Sequence, residues 1–73
     1  MTYLGKSYAR THVPDAHLEE HWFDATSMDY VVEGTEPGEN EESDIGRGKT
    51  PMEAWHDAAL NIRRIMQQKG SHD

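Results

Sequence analysis

The string TPMEAWHDAALNIRRIMQQKG, residues 50–70, restricts what this chain can fold into more than any other stretch. Thr50 stands as an N-cap and Pro51 fills the first helical position, where its missing N–H costs nothing; Glu53 follows the cap by three residues, the spacing of a capping box. Projected at about 100° per residue, Ala54, Trp55, Ala58, Ala59, Ile62, Ile65 and Met66 gather on one face, and His56, Leu60, Arg63 and Gln67 point away from it. Arg63, Arg64 and Lys69 lie toward the negative end of the helix dipole, and Gly70 is placed to end the helix. The spacing predicts one amphipathic helix of roughly eighteen residues. Its Trp and Ile face needs a second layer to cover it, and Leu60 is an apolar residue left outside, the mark of a contact patch.

Residues 28–34, MDYVVEG, have the β-branched and aromatic content of a strand ending at a glycine, and SDIGRGKT is placed to pair with it as a hairpin. TYLGKSYART carries Tyr and Thr suited to another strand, weakened by Gly5. In residues 14–24, Pro14, Asp15, Ala16 and Leu18 read as the start of a short helix, whereas HWFDAT is equally compatible with extended chain. The expected fold class is α+β: a small antiparallel β-sheet of about three strands with one long C-terminal α-helix packed on one face. Residues 1–73 make one small domain, with an acidic loop over residues 34–44. A chain of this size buries only about 60% of its unfolded surface, so the core is thin, and a homodimer is the other way to complete it. Leu18, Trp22 and Phe23 are expected to supply apolar surface to the Trp55 face of the long helix.

The formal charge of -7 is local. Six acids and no base fall in residues 33–44, leaving eight of the fourteen acids against seven Lys and Arg elsewhere. Glu36, Glu39, Glu41, Glu42 and Asp44 form a negative patch able to compete for a basic, nucleic-acid-binding surface on a protein partner; Leu60 and Arg63 offer a second contact on the long helix. Direct nucleic-acid binding is not expected, because non-specific grip on phosphates needs clustered Lys and Arg. The chain has no cysteine, which excludes disulfides and thiolate metal sites. No apolar run spans a bilayer and the start lacks a signal-peptide core, so a cytoplasmic protein is expected, with no membrane partner.

HLEEH, residues 17–21, resembles the inverted motif of a zinc-protease family, in which two histidines bind zinc and the glutamate is general base. His17, Glu20 and His21 match it, but no third ligand from a later helix is evident, and no catalytic metal is expected. On a helix, His17 and His21 would share a face and could hold an adventitious ion with Asp24. GRGKT ends like a phosphate-binding loop but has Ser43 where the first glycine belongs; what survives is a single-anion site at Arg47, Gly48 and Lys49 before the helix.

GxGxTxxxAxxxAA, running from Gly46 through Gly48, Thr50, Ala54, Ala58 and Ala59, resembles the ending of double-stranded-RNA-binding domains. Pro14, Leu18 and Glu20 match the PxxxLxE opening of that family's first helix. The resemblance implies a last helix packed by its alanines on a three-stranded sheet. Pro51, Met52 and Trp55 replace the lysines with which that family contacts phosphates, and only 31 residues separate Pro14 from Gly46, a short allowance for its strands. The TPxEAxxDA helix start is similar to that of HicB-like antitoxin domains, which implies binding of a protein instead of RNA.

No nucleophile arrangement stands out: His56 and Asp57 are adjacent and diverge on a helix, and Glu41 and Glu42 fall in a loop where nothing raises a carboxyl pKa. The expected function is a small acidic non-enzymatic protein-interaction module without a cofactor. In type it resembles the short accessory proteins by which bacteriophages and mobile elements inhibit host complexes, defence systems included. The alternatives are a degenerate double-stranded-RNA-binding-like module and a small-ligand or metal sequestering protein.

Overall fold

A computed structural model describes residues 5–70, with side chains through Gln68, so the expected roles of Lys69 and of the first four residues lie outside the described residues. The element order is α1 (Lys6–His12), β1 (His17–Trp22), β2 (Met28–Thr35), β3 (Glu42–Gly48) and α2 (Pro51–Gly70). The strands form one antiparallel sheet in the order β1-β2-β3. The α+β class, the three strands and the long final helix are therefore as the sequence predicts. No described helix is long and apolar enough to cross a membrane.

α2 begins as its capping residues dictate. Thr50 Oγ1 accepts from the Glu53 N–H at 3.1 Å, while the Glu53 carboxylate reaches back to the Lys49 N–H at 2.9 Å, one residue before the usual capping-box target. Ala54, Trp55, Ala58, Ala59 and Ile62 are buried, as their spacing requires. Ile65 is half-buried, but Met66, expected on the same face, is exposed.

Why α2 lies so close to β3 follows from glycine. A Cβ built on Gly46 would stand 2.4 Å from the Ala58 nitrogen and 2.6 Å from the Ala54 oxygen, and one on Gly48 would stand 2.7 Å from the Ala54 nitrogen. Small residues on both sides let backbone meet backbone, which is the physical content of the GxG and AxxxA spacings. Asn61 closes the joint by donating to the Ile45 carbonyl at 2.9 Å.

One N-terminal expectation is corrected, and one open choice is decided. TYLGKSYART does not give a strand: its described part is α1, in which the Ala9 N–H donates to Gly5 O and Val13 N–H to Ala9 O. Ala9 and Val13, one helical turn apart, enter the core with Ala54, Trp55, Ala58 and Ile62, and Tyr8 stacks near His12 at 4.6 Å. Packing against α2 outweighs the modest strand preference of Tyr and Thr. Of the two readings open for residues 14–24, the strand is the one formed: β1 sets Leu18 opposite Val32 under the helical layer. Asp15 fixes the entry to β1, accepting from the Thr35 N–H at 3.0 Å and the Thr35 hydroxyl at 2.7 Å.

Leu18 packs on the core, but Trp22 and Phe23 do not: they are 58% and 60% exposed. Trp22 opposes Met28, two positions beyond the Tyr30–Gly48 pair at which β3 ends, so the hairpin tip projects past the layer that would cover it. The acidic connection is also shorter than residues 34–44, since Gly34 and Thr35 end β2 and Glu42 begins β3. Its turn is set by the Glu39 N–H donating to Glu36 O and by Gly38 at φ 90°, a backbone conformation that suits glycine.

Candidate functional site

The alternation of strand side chains gives this sheet a second, uncovered face. On β1, Leu18 faces the helices, so His17, Glu19 and His21 face the other way; on β2, Val32 faces the helices, so Asp29, Val31 and Glu33 share the open side. β3 reaches that side through an irregularity. Strict alternation from the Val32–Gly46 pair would place Ile45 opposite Glu33, but a bulge between Val32 and Glu33 sets Asp44 there instead. The extra residue, Ile45, turns into the core, and Glu42 and Asp44 join the histidines on the open face.

The centre of this face is Glu33. His21 Nε2 donates to its Oε2 at 2.9 Å, and His17 Nε2 lies 3.6 Å from its Oε1. Glu19 Oε2 and Glu42 Oε1 stand 3.4 and 4.0 Å from the same His17 nitrogen. The His17 pKa is raised, first by the hydrogen bond from Nδ1 to the Asp15 carbonyl and then by Glu42, Glu19 and Glu33, with burial opposing. His17 and His21 thus share a face, as the spacing allows, but on a strand, and their Nε2 atoms meet different oxygens of Glu33, which stands between them. Asp24 is occupied in the β1–β2 turn, accepting from the Thr26 N–H and hydroxyl at 2.8 and 3.0 Å, which hold its pKa low.

At the other edge of the open face, Asp29 binds both cations that precede α2. Lys49 Nζ lies 2.6 Å from Asp29 Oδ1, and Arg47 reaches Asp29 at 3.5 Å and Asp44 at 3.4 Å. Lys49 above all, with Arg47, holds the Asp29 carboxyl below its ordinary value. The Arg47 N–H donates to Asp57 and the Lys49 N–H to Glu53, while Gly48 packs against Ala54. The groups expected to hold an external anion are therefore engaged with carboxylates of the chain itself.

The proposed partner contacts lie apart from one another. Glu39 and Glu41 are exposed on the β2–β3 turn with Glu36 beside them, Glu42 and Asp44 continue onto β3, and Leu60 and Arg63 are exposed on α2. Among the described residues no ion pair involves Glu36, Glu39 or Glu41. Glu33 and Asp29 were missed by the sequence reading; the signal present was the two-residue period of Asp29, Val31 and Glu33, offset from Tyr30, Val32 and Gly34. No protein-family model, curated protein or solved structure matches the chain.

Proposed function

We propose that this chain is a small acidic, non-enzymatic protein-interaction module that occupies a basic surface of a partner protein. The observation that carries the reading is the β2–β3 turn: Glu39 and Glu41 are exposed on it and Glu36 is half-buried beside them, none in an ion pair among the described residues, next to Glu42 and Asp44 at the start of β3. Self-repulsion of such a cluster costs stability, whereas a positive surface relieves it and is drawn to it at long range. Leu60 and Arg63 provide a second contact on α2. A host complex with a basic nucleic-acid-binding surface has the complementary chemistry, and an accessory protein of a phage or mobile element would act by covering it.

The test is capture of partners from bacterial lysate by the folded chain at low salt, beside a Glu36→Gln, Glu39→Gln, Glu41→Gln variant. A partner with a basic surface that binds the first, elutes as salt rises and is lost with the variant supports the proposal. A partner held equally by both contradicts it.

A second reading, a degenerate double-stranded-RNA-binding-like module, is favoured by the order helix, three antiparallel strands, helix, with the alanines of α2 on the sheet. Against it, Pro14, Leu18 and Glu20 do not open a helix, and Arg47 and Lys49 are paired with Asp29. Binding of double-stranded RNA that vanishes in an Arg47→Ala, Lys49→Ala variant would favour this reading over the first.

A further inference from the structure

The open face of the sheet holds a set of metal-ligand atoms of which the interaction reading uses only Glu42. His17 on β1, Glu33 on β2 and Glu42 on β3 each offer one, and these atoms lie within 4.8 Å of one another. From His17 Nε2, Glu33 Oε1 is at 3.6 Å and Glu42 Oε1 at 4.0 Å. Donors about 2.1 Å from a tetrahedral zinc ion stand about 3.4 Å apart, so small rotations of these half-exposed side chains would close the set around an ion.

Two further observations point to a cation there. The first concerns His17. Its Nδ1 meets the Asp15 carbonyl at 3.0 Å, and a carbonyl can only accept, so Nδ1 carries a proton and Nε2 is the nitrogen left to bind a proton or a metal ion. Nε2 faces carboxylate oxygens of Glu19, Glu33 and Glu42, all acceptors. A site of acceptors alone is satisfied by a positive charge at its centre. The second concerns Glu33: His21 donates to its Oε2 at 2.9 Å and leaves Oε1 toward His17. Hydrogen bonds of both kinds, a histidine's far N–H on a carbonyl and a held carboxylate, are what orient ligands in metal sites.

We propose that His17, Glu33 and Glu42 form a binding site for one divalent transition-metal ion, with His21 as the positioning residue for Glu33. Mixed imidazole and carboxylate donors without thiolate suit zinc and its first-row neighbours better than calcium or magnesium. The ion joins all three strands, water completes its coordination, and Glu19 adds negative charge beside it. Because Glu42 reaches this face only through the bulge at Ile45, the irregularity in β3 is part of the site. The inference shares Glu42 with the interaction reading but does not depend on it, since the variant that tests that reading changes Glu36, Glu39 and Glu41 and leaves the three ligands intact.

Calorimetric titration of the full chain with zinc chloride tests it. The expected result is one ion per chain with a dissociation constant in the range of about 1 to 50 μM. His17→Ala and Glu33→Gln should each weaken binding at least tenfold, and His21→Ala about tenfold. His21→Gln, whose amide can still donate to Glu33, should recover most of that loss, which a merely structural role would not predict. His12→Ala serves as the control and should bind as the parent does. These side chains lie outside the core, so circular dichroism should show every variant folded. The absence of saturable heat up to about 1 mM zinc, or equal affinity in the parent, His17→Ala and Glu33→Gln, would overturn the proposal.

Discussion

On the side of the sheet that meets α2, Gly46 and Gly48 admit the backbone of the helix, and Val32, Leu18 and Tyr30 face Ala54, Trp55, Ala58 and Ile62 in one apolar cluster. On the other side, His17, Glu19, His21, Asp29, Glu33, Glu42, Asp44 and Arg47 cover the same three strands with charge, and Val31, fully buried between Glu19 and Arg47 in register, lies outside the main cluster. The difference shows how a chain with a thin core divides its work: one face is committed to holding the fold together, which frees the other to carry groups that do little for stability.

Substitutions on the closed face should break this division most severely. Gly46→Val places new atoms within 2.4 Å of the α2 backbone, which cannot move without lifting the helix from β3. Overpacking of this kind typically costs about 1 to 3 kcal/mol, and backbone contact puts the loss at about 3 kcal/mol or more. For a domain of this size, whose whole stability is about 4 to 11 kcal/mol, urea denaturation should find the variant largely unfolded or close to it. Trp55→Ala should cost about 3 to 5 kcal/mol and Ile62→Ala about 2 to 5 kcal/mol, since both side chains are buried in the cluster. The same denaturation curves check these values.

The seam between the faces gives a smaller effect with a defined pH dependence. The Thr35 N–H and hydroxyl hold the Asp15 carboxyl below its ordinary value of 3.8. A carboxylate with a lowered folded pKa stabilises the fold above its unfolded pKa and loses that contribution as pH falls through the folded one. Asp15→Ala should therefore melt below the parent at neutral pH, and the gap in melting temperature should close as the pH falls below 3.8. A gap that persists unchanged into strong acid would assign Asp15 a role that does not depend on its charge.

The smallest effects belong to the exposed surface. Trp22→Ala should change stability by no more than about 0.5 kcal/mol, as for surface substitutions generally, in contrast to Trp55. A large loss would mean that the hairpin tip is packed against something, a second copy included, and would redraw the boundary between the two faces.

How far the sequence disclosed this arrangement depended on whether one period could be told from another. α2 was legible because Thr50, Pro51 and Glu53 mark its start and its apolar residues recur only at helical spacing; the pairing of β2 with β3 followed from β-branched residues beside a glycine-rich strand. HLEEH was not legible, because residues four apart share a face on a helix and on a strand alike. α1 was masked by Tyr and Thr, and only its contact with α2 decides the matter. Trp22 looked like core until the register placed it beyond the end of β3. The open-face cluster was hidden most deeply, since the alternation of β3 gives Ile45 to the outside and Asp44 to the inside, and the bulge that reverses them has no signature in ESDIGRG.

The claim that the open face holds a metal site is met most directly by backbone amide NMR spectra of the full chain recorded through a zinc titration. The account predicts shifts concentrated at His17, Glu19, His21, Glu33 and Glu42, with Ala54, Ala58 and Ile62 unmoved. Shifts centred on His12 or His56, or a spectrum that does not change with zinc, would contradict it.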